Sequence, residues 1–116
     1  MAQRNRMTVM WCSFAKRPIN LRAYGSAKTV HEGDADWAAL GAHFPPALGT
    51  RQFYDMTVDL VQSSCGYAVP FFDHVGPRDT LARWADDKGE DAIRTYWAER
   101  NQSTLDGTKT GTPNDT

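Results

Sequence analysis

Apolar residues recur along this chain with more than one period, and each period predicts a different element. Between Met7 and Phe14, MTVMWCSF, both alternating sets are bulky: Met7, Val9 and Trp11 on one side, Met10, Cys12 and Phe14 on the other. That pattern predicts a strand buried on both faces. Ala15-Lys16-Arg17-Pro18 supplies a turn, and Ile19 to Val30 predicts a second strand that closes a hairpin with the first. Gly25 interrupts that strand where a bulge or a close approach of another backbone fits. Gln52 to Gln62 alternates cleanly, with Tyr54, Met56, Val58 and Leu60 inward and Phe53, Asp55, Thr57 and Asp59 outward, as in a half-buried antiparallel strand. Tyr67 to Val75 is apolar and predicts a brief fourth strand.

Elsewhere the period is helical. Gly33-Asp34-Ala35-Asp36-Trp37 opens a short helix, with Asp34 as N-cap and Asp36 in the first turn. Trp37, Leu40 and Phe44 form its stripe, and Pro45-Pro46 ends it. From Asp79 onward Leu81, Trp84 and Ala85, then Ile93, Tyr96 and Trp97, form two apolar stripes, and Gly89 between them predicts two helices rather than one. From Gln102 the residues are small and polar, which predicts one domain over residues 1–107 and a disordered tail over 108–116.

At 116 residues the chain holds one core. Charged residues make up 23% with a net charge of −1, acids and bases interspersed, so the basic stripe that a phosphate backbone requires is missing and nucleic acid is not an expected partner. No apolar run approaches the roughly 20 residues of a membrane span, and the start MAQRNRM lacks the apolar core of a signal peptide. The expectation is a cytoplasmic protein without membrane contact. Cys12 and Cys65 match no zinc or redox spacing and are read as reduced, buried thiols. His31, His43 and His74 stand in no metal-ligand pattern, so no metal is expected.

The predicted sheet has a difficulty. Its strongest strand, Met7 to Phe14, has no earlier element to cover it, and an uncovered apolar edge invites association. Four segments in order bear on this: MTVMWCSF, INLRAYGSAKTVHEGDADWAAL, DLVQSSCGYAVP and RDTLARWADDKGEDAIRTYWAERNQSTLDG. Together they resemble the C-terminal part of the pyridoxamine 5'-phosphate oxidase-like family over about residues 4 to 107. The resemblance implies an α+β fold, a partial antiparallel split β-barrel with flanking helices, N-terminally truncated: the family's opening strands, which would cover Met7 to Phe14, and most of its flavin-phosphate ligands have no counterpart here. It also implies flavin mononucleotide (FMN) bound at a homodimer interface, with heme or a deazaflavin as other ligands that such a fold takes.

The stretch Val61 to Pro70, VQSSCGYAVP, carries two readings. As a ligand wall, the small Ser63, Ser64 and Gly66 admit a flat ring, backbone amides near Gly66 donate to ring carbonyls, and Tyr67 packs on the ring. As a structural feature it is a strand end turning a corner, with Cys65 a small core residue. A nucleophilic Cys65 lacks a histidine close in sequence. Asn20 stands about where the resemblance implies an amide touching the flavin, and Arg22 needs an acid or phosphate if it points inward. The implied cofactor-binding set is thus Asn20, Arg22, Ser64, Cys65, Gly66 and Tyr67, with Arg4, Arg6 and Lys16 the nearby cations for a phosphate. Trp37, Trp84 and Trp97 are read as core or dimer anchors.

Two functions follow. One is a flavin-dependent oxidoreductase acting on a small molecule, in which the flavin carries the electrons. The other is a truncated, non-catalytic split-barrel module that dimerises or binds a partner without cofactor.

Overall fold

The computed structural model describes residues 4–114 and has an α+β layout. Three strands, β1 (Arg6–Cys12), β2 (Ile19–His31) and β3 (Gln52–Cys65), form one open antiparallel sheet in the order β1-β2-β3. Three helices accompany them: α1 (Trp37–Gly41), α2 (Thr80–Lys88) and α3 (Glu90–Arg100). The β1–β2 hairpin runs in register from Arg6 opposite Ser26 to Cys12 opposite Asn20. The chain divides into two compact units. One holds residues up to Lys28 together with Met56–Pro77; the other holds Thr29–Asp55 together with the chain from Arg78 onward.

In the first unit, β2 presents Ala23, Gly25 and Ala27 at alternate positions, all three buried. At Gly25 another backbone passes. A Cβ placed on Gly25 would stand 2.1 Å from the Thr57 carbonyl oxygen and 3.0 Å from Val58 Cα. The close approach expected at Gly25 is present, and β3 provides it. The expectation that β1 is buried on both faces does not hold: Met10 and Trp11 are about half exposed. β1 is the last strand of the order, and among the described residues no helix belongs to its unit. Val58 and Leu60 of β3, predicted inward, are likewise exposed. Tyr67 to Val75 forms no strand. Gly66 and Pro70 break the extended run, and a single backbone bond, from the Phe72 N–H to the Phe14 carbonyl at 3.2 Å, ties it to β1's end, where the rings of Phe14 and Phe72 meet edge to face at 5.3 Å.

The second unit carries the apolar core. Ala85, Ile93 and Trp97 are buried together at the α2–α3 hairpin. Gly89 separates the helices as the periodicity requires, and its φ of 77° lies in the left-handed region that glycine adopts without a Cβ penalty. Phe53, predicted outward, instead packs between Trp37 at 4.7 Å and Phe44 at 5.4 Å. The face of β3 read as outward is covered there by these two rings. α1 begins at Trp37, not after Asp34, and the Asp34 carboxylate accepts the His31 backbone N–H at 2.7 Å, closing the turn through Gly33. The segment assigned to a tail is structured up to Asn114. Ser103 bridges Lys109, the Thr110 hydroxyl donates to the Asn101 carbonyl at 2.5 Å, and Thr112 is buried. Short hydroxyl side chains close their own backbone bonds here, which composition alone does not reveal. Asp115 and Thr116 lie outside the described residues.

Candidate functional site

The side chains of β2 that alternate with the small ones point to the opposite face. Asn20, Arg22 and Tyr24 stand there in succession. Across from them β3 presents Gln62 and Ser64, again at alternate positions, because the strand extends through VQSSC before the chain bends at Gly66. The pairs are connected. Tyr24 donates its hydroxyl to Gln62 Oε1 at 3.0 Å, and Arg22 Nη1 donates to the Ser64 hydroxyl at 3.0 Å. At the end of this ladder the Gly66 N–H donates to the Pro18 carbonyl at 2.9 Å, so the bend is anchored beside the start of β2.

Asn20 completes the row. It is buried, and its Oδ1 has no hydrogen-bond partner. A Cβ at Gly66 would stand 3.3 Å from that oxygen and 3.5 Å from the Ile19 nitrogen and the Pro18 carbonyl carbon, so glycine lets the bend lie close against the start of β2. An unpartnered buried acceptor costs roughly 1–3 kcal/mol, and a donor from outside the chain removes that cost. Arg22 is half-buried, and among the described residues no carboxylate pairs with it. Ser64 occupies one of its five donors, which leaves the guanidinium able to take an anion or a carbonyl.

Four of the six sequence-predicted residues, Asn20, Arg22, Ser64 and Gly66, therefore meet at one corner. The other two flank it. Cys65 ends β3 as an exposed free thiol, not a buried core residue, and the Tyr67 ring is 84% exposed. Tyr24 and Gln62 extend the ladder and were not singled out from sequence. Their signal was the same alternation, two residues beyond Arg22 and two before Ser64.

The cations expected near a phosphate have separate fates. Arg6 is occupied: its Nη1 lies 2.5 Å and its Nη2 3.1 Å from the Asp59 carboxylate. The hydrogen-bonded guanidinium holds the Asp59 carboxyl below its ordinary value, and the carboxylate raises Arg6 in return. Arg4 and Lys16 are exposed. Among the described residues no three metal-ligating side chains converge, and no helix is long and apolar enough to cross a membrane. No family model, curated protein or solved structure matches this chain.

The corner places a buried acceptor, a partly buried cation and a hydroxyl in one row, with the exposed Tyr67 beside them.

Proposed function

We propose that this chain is a flavoprotein of the split-barrel type, related to the pyridoxamine 5'-phosphate oxidase-like proteins, that binds FMN at the Asn20–Gly66 corner and acts as an oxidoreductase on a small molecule. One observation carries the reading: Asn20 is buried with an unpartnered Oδ1 in the same row as the Arg22 guanidinium, which pairs with no carboxylate among the described residues. The polar edge of an isoalloxazine carries both an N–H and carbonyls, which matches an amide acceptor next to the Arg22 guanidinium. In such a complex Asn20 and Arg22 would hold the polar edge of the ring, with Ser64 orienting the guanidinium and Tyr67 beside it. The bound flavin supplies hydride or electron transfer, and the protein supplies position and electrostatics. With Arg6 held by Asp59, the reading assigns the ring to this chain and leaves the phosphate to Arg4, Lys16 or a second copy in a homodimer.

The test is an absorbance scan of the purified chain after addition of FMN and gel filtration. Visible flavin bands retained in stoichiometric amount support the reading, and Asn20→Leu then weakens retention about three- to tenfold, the worth of one hydrogen bond. A colourless wild-type protein overturns it.

A second reading is favoured by the exposed apolar side chains of the same unit, among them Trp11, Leu60, Val61 and Phe72. A module with such a surface associates without any cofactor. A colourless chain that elutes as a dimer or larger supports this one.

A further inference from the structure

The α2–α3 hairpin carries a second feature that its core does not explain. The helices bury Ala85, Ile93 and Trp97, yet a neighbouring stripe of α2, Leu81, Trp84 and Lys88, stays at the surface with Tyr96 of α3. Trp84 and Tyr96 are each nearly two-fifths exposed, and Leu81 is 74% exposed. With Arg78 and Thr80 these side chains line a cleft of about 700 Å³, a volume in the range of small-molecule sites.

Two of its six lining residues are cations and none is an acid. Lys88 Nζ sits 5.3 Å from the Trp84 ring centroid and 5.5 Å from that of Tyr96, and those two rings meet edge to face at 5.5 Å. The ammonium is thus held over aromatic faces rather than against a carboxylate. Arg78 has no ion pair among the described residues. The adjacent Asp79 is engaged with Arg83 at 3.1 Å, so it does not neutralise the cleft. Two lining cations beside exposed rings suit a ligand with the opposite charge and a ring of its own.

We propose that this cleft binds a small aromatic carboxylate, its ring against Trp84 and Leu81 and its carboxylate between Lys88 and Arg78, with the Thr80 hydroxyl as a neutral donor. Arg78 suits the planar carboxylate through its fork of donors. The site lies wholly in the second unit and stands whether or not the Asn20–Gly66 corner takes a flavin.

The test is an NMR titration of the ¹⁵N-labelled full chain with indole-3-acetate, run beside tryptamine, which carries a similar ring with a cation. Indole-3-acetate is expected to shift the α2 amides and the Trp84 indole N–H saturably, with tryptamine at least about fivefold weaker. Lys88→Gln and Arg78→Gln are each expected to weaken indole-3-acetate about two- to fivefold, as for partly exposed charge pairs. Lys109→Gln, which removes a cation elsewhere in the same unit, is expected to leave it unchanged. High salt is expected to weaken the carboxylate and not the amine, a readout that needs no variant. Equal binding of the two compounds, shifts that do not saturate, or wild-type affinity in both Gln variants overturns the proposal.

Discussion

Gly25→Ala puts the strand crossing of the first unit to a quantitative test. The added methyl would lie 2.1 Å from the Thr57 oxygen, 2.8 Å from its carbonyl carbon and 3.0 Å from Val58 Cα. All three are backbone atoms, so no side chain can swing aside. Carbon and oxygen need somewhat over 3 Å, so β3 must retreat by about 1 Å from β2, against a dispersion and hydrogen-bond network already at its optimum. Overpacking of this kind costs about 1–3 kcal/mol, and each backbone hydrogen bond lost as the strands part adds about 0.5–1.5 kcal/mol. Alanine returns about 0.5–1 kcal/mol through its lower unfolded-state entropy. At mid-range, with one to two such bonds lost, the net expectation is a loss of about 2–3 kcal/mol, a large share of the roughly 5–15 kcal/mol that a domain has. At about 4 °C per kcal/mol for a chain of this size, Tm falls by about 8–12 °C. Thermal unfolding followed by circular dichroism measures it. Gly33→Ala is the control, because Gly33 has nothing within 4 Å and only its φ of 97° to lose; it should cost about 1 kcal/mol. A Gly25→Ala protein that melts within about 2 °C of wild type would refute the crossing.

Three further expectations follow. Asn20→Leu removes a buried acceptor that has no partner and should raise the apoprotein's stability by about 1 kcal/mol while weakening flavin; a loss of stability would mean that the amide serves the fold instead, and paired melting and flavin titrations separate the two. Ile93→Ala empties the most deeply buried large side chain of the second unit and should cost about 2–4 kcal/mol by denaturant unfolding. The Arg6–Asp59 pair sets a pH dependence. Asp59 titrates below its ordinary value because Arg6 hydrogen-bonds it, so its contribution is complete above the unfolded-state carboxylate range and fades as pH falls through the depressed folded value. Melting curves across acid pH should show a shallower decline for Asp59→Asn than for wild type, and parallel declines would contradict the assignment.

The parts of the fold legible in the sequence were those fixed by local period. β2, the break at Gly89 and the alternation that sets Asn20 and Arg22 on one face all follow from side-chain spacing along a strand or helix. The corner was expected as a set from the family resemblance, and the β2–β3 pairing brings Asn20, Arg22, Ser64 and Gly66 together. Burial was not legible. The pattern of Met7 to Phe14 says which groups share a face, but coverage depends on another layer, and among the described residues no helix belongs to β1's unit. Phe53 lies on the face read as outward, and that face is covered there by the rings of Trp37 and Phe44, which the strand's own pattern does not reveal. The segment after Asn101 read as solvated because its stabilising bonds are made by threonine hydroxyls to nearby backbone, a pairing that polar composition conceals. Trp84 and Trp97 read alike in the sequence, yet only Trp97 is buried, and the exposure of Trp84 is what gives the helical cleft its aromatic wall.

FMN is itself aromatic and anionic, so where it binds matters as much as whether it does. The most direct measurement is an NMR titration of the ¹⁵N-labelled chain with FMN, following the backbone amides of Asn20, Ser64, Gly66 and Tyr67 alongside those of α2. Saturable shifts are expected at the Asn20–Gly66 corner, persisting in Lys88→Gln and collapsing in Asn20→Leu. Shifts confined to Leu81, Trp84 and Lys88, or none at all, would contradict flavin binding at the corner.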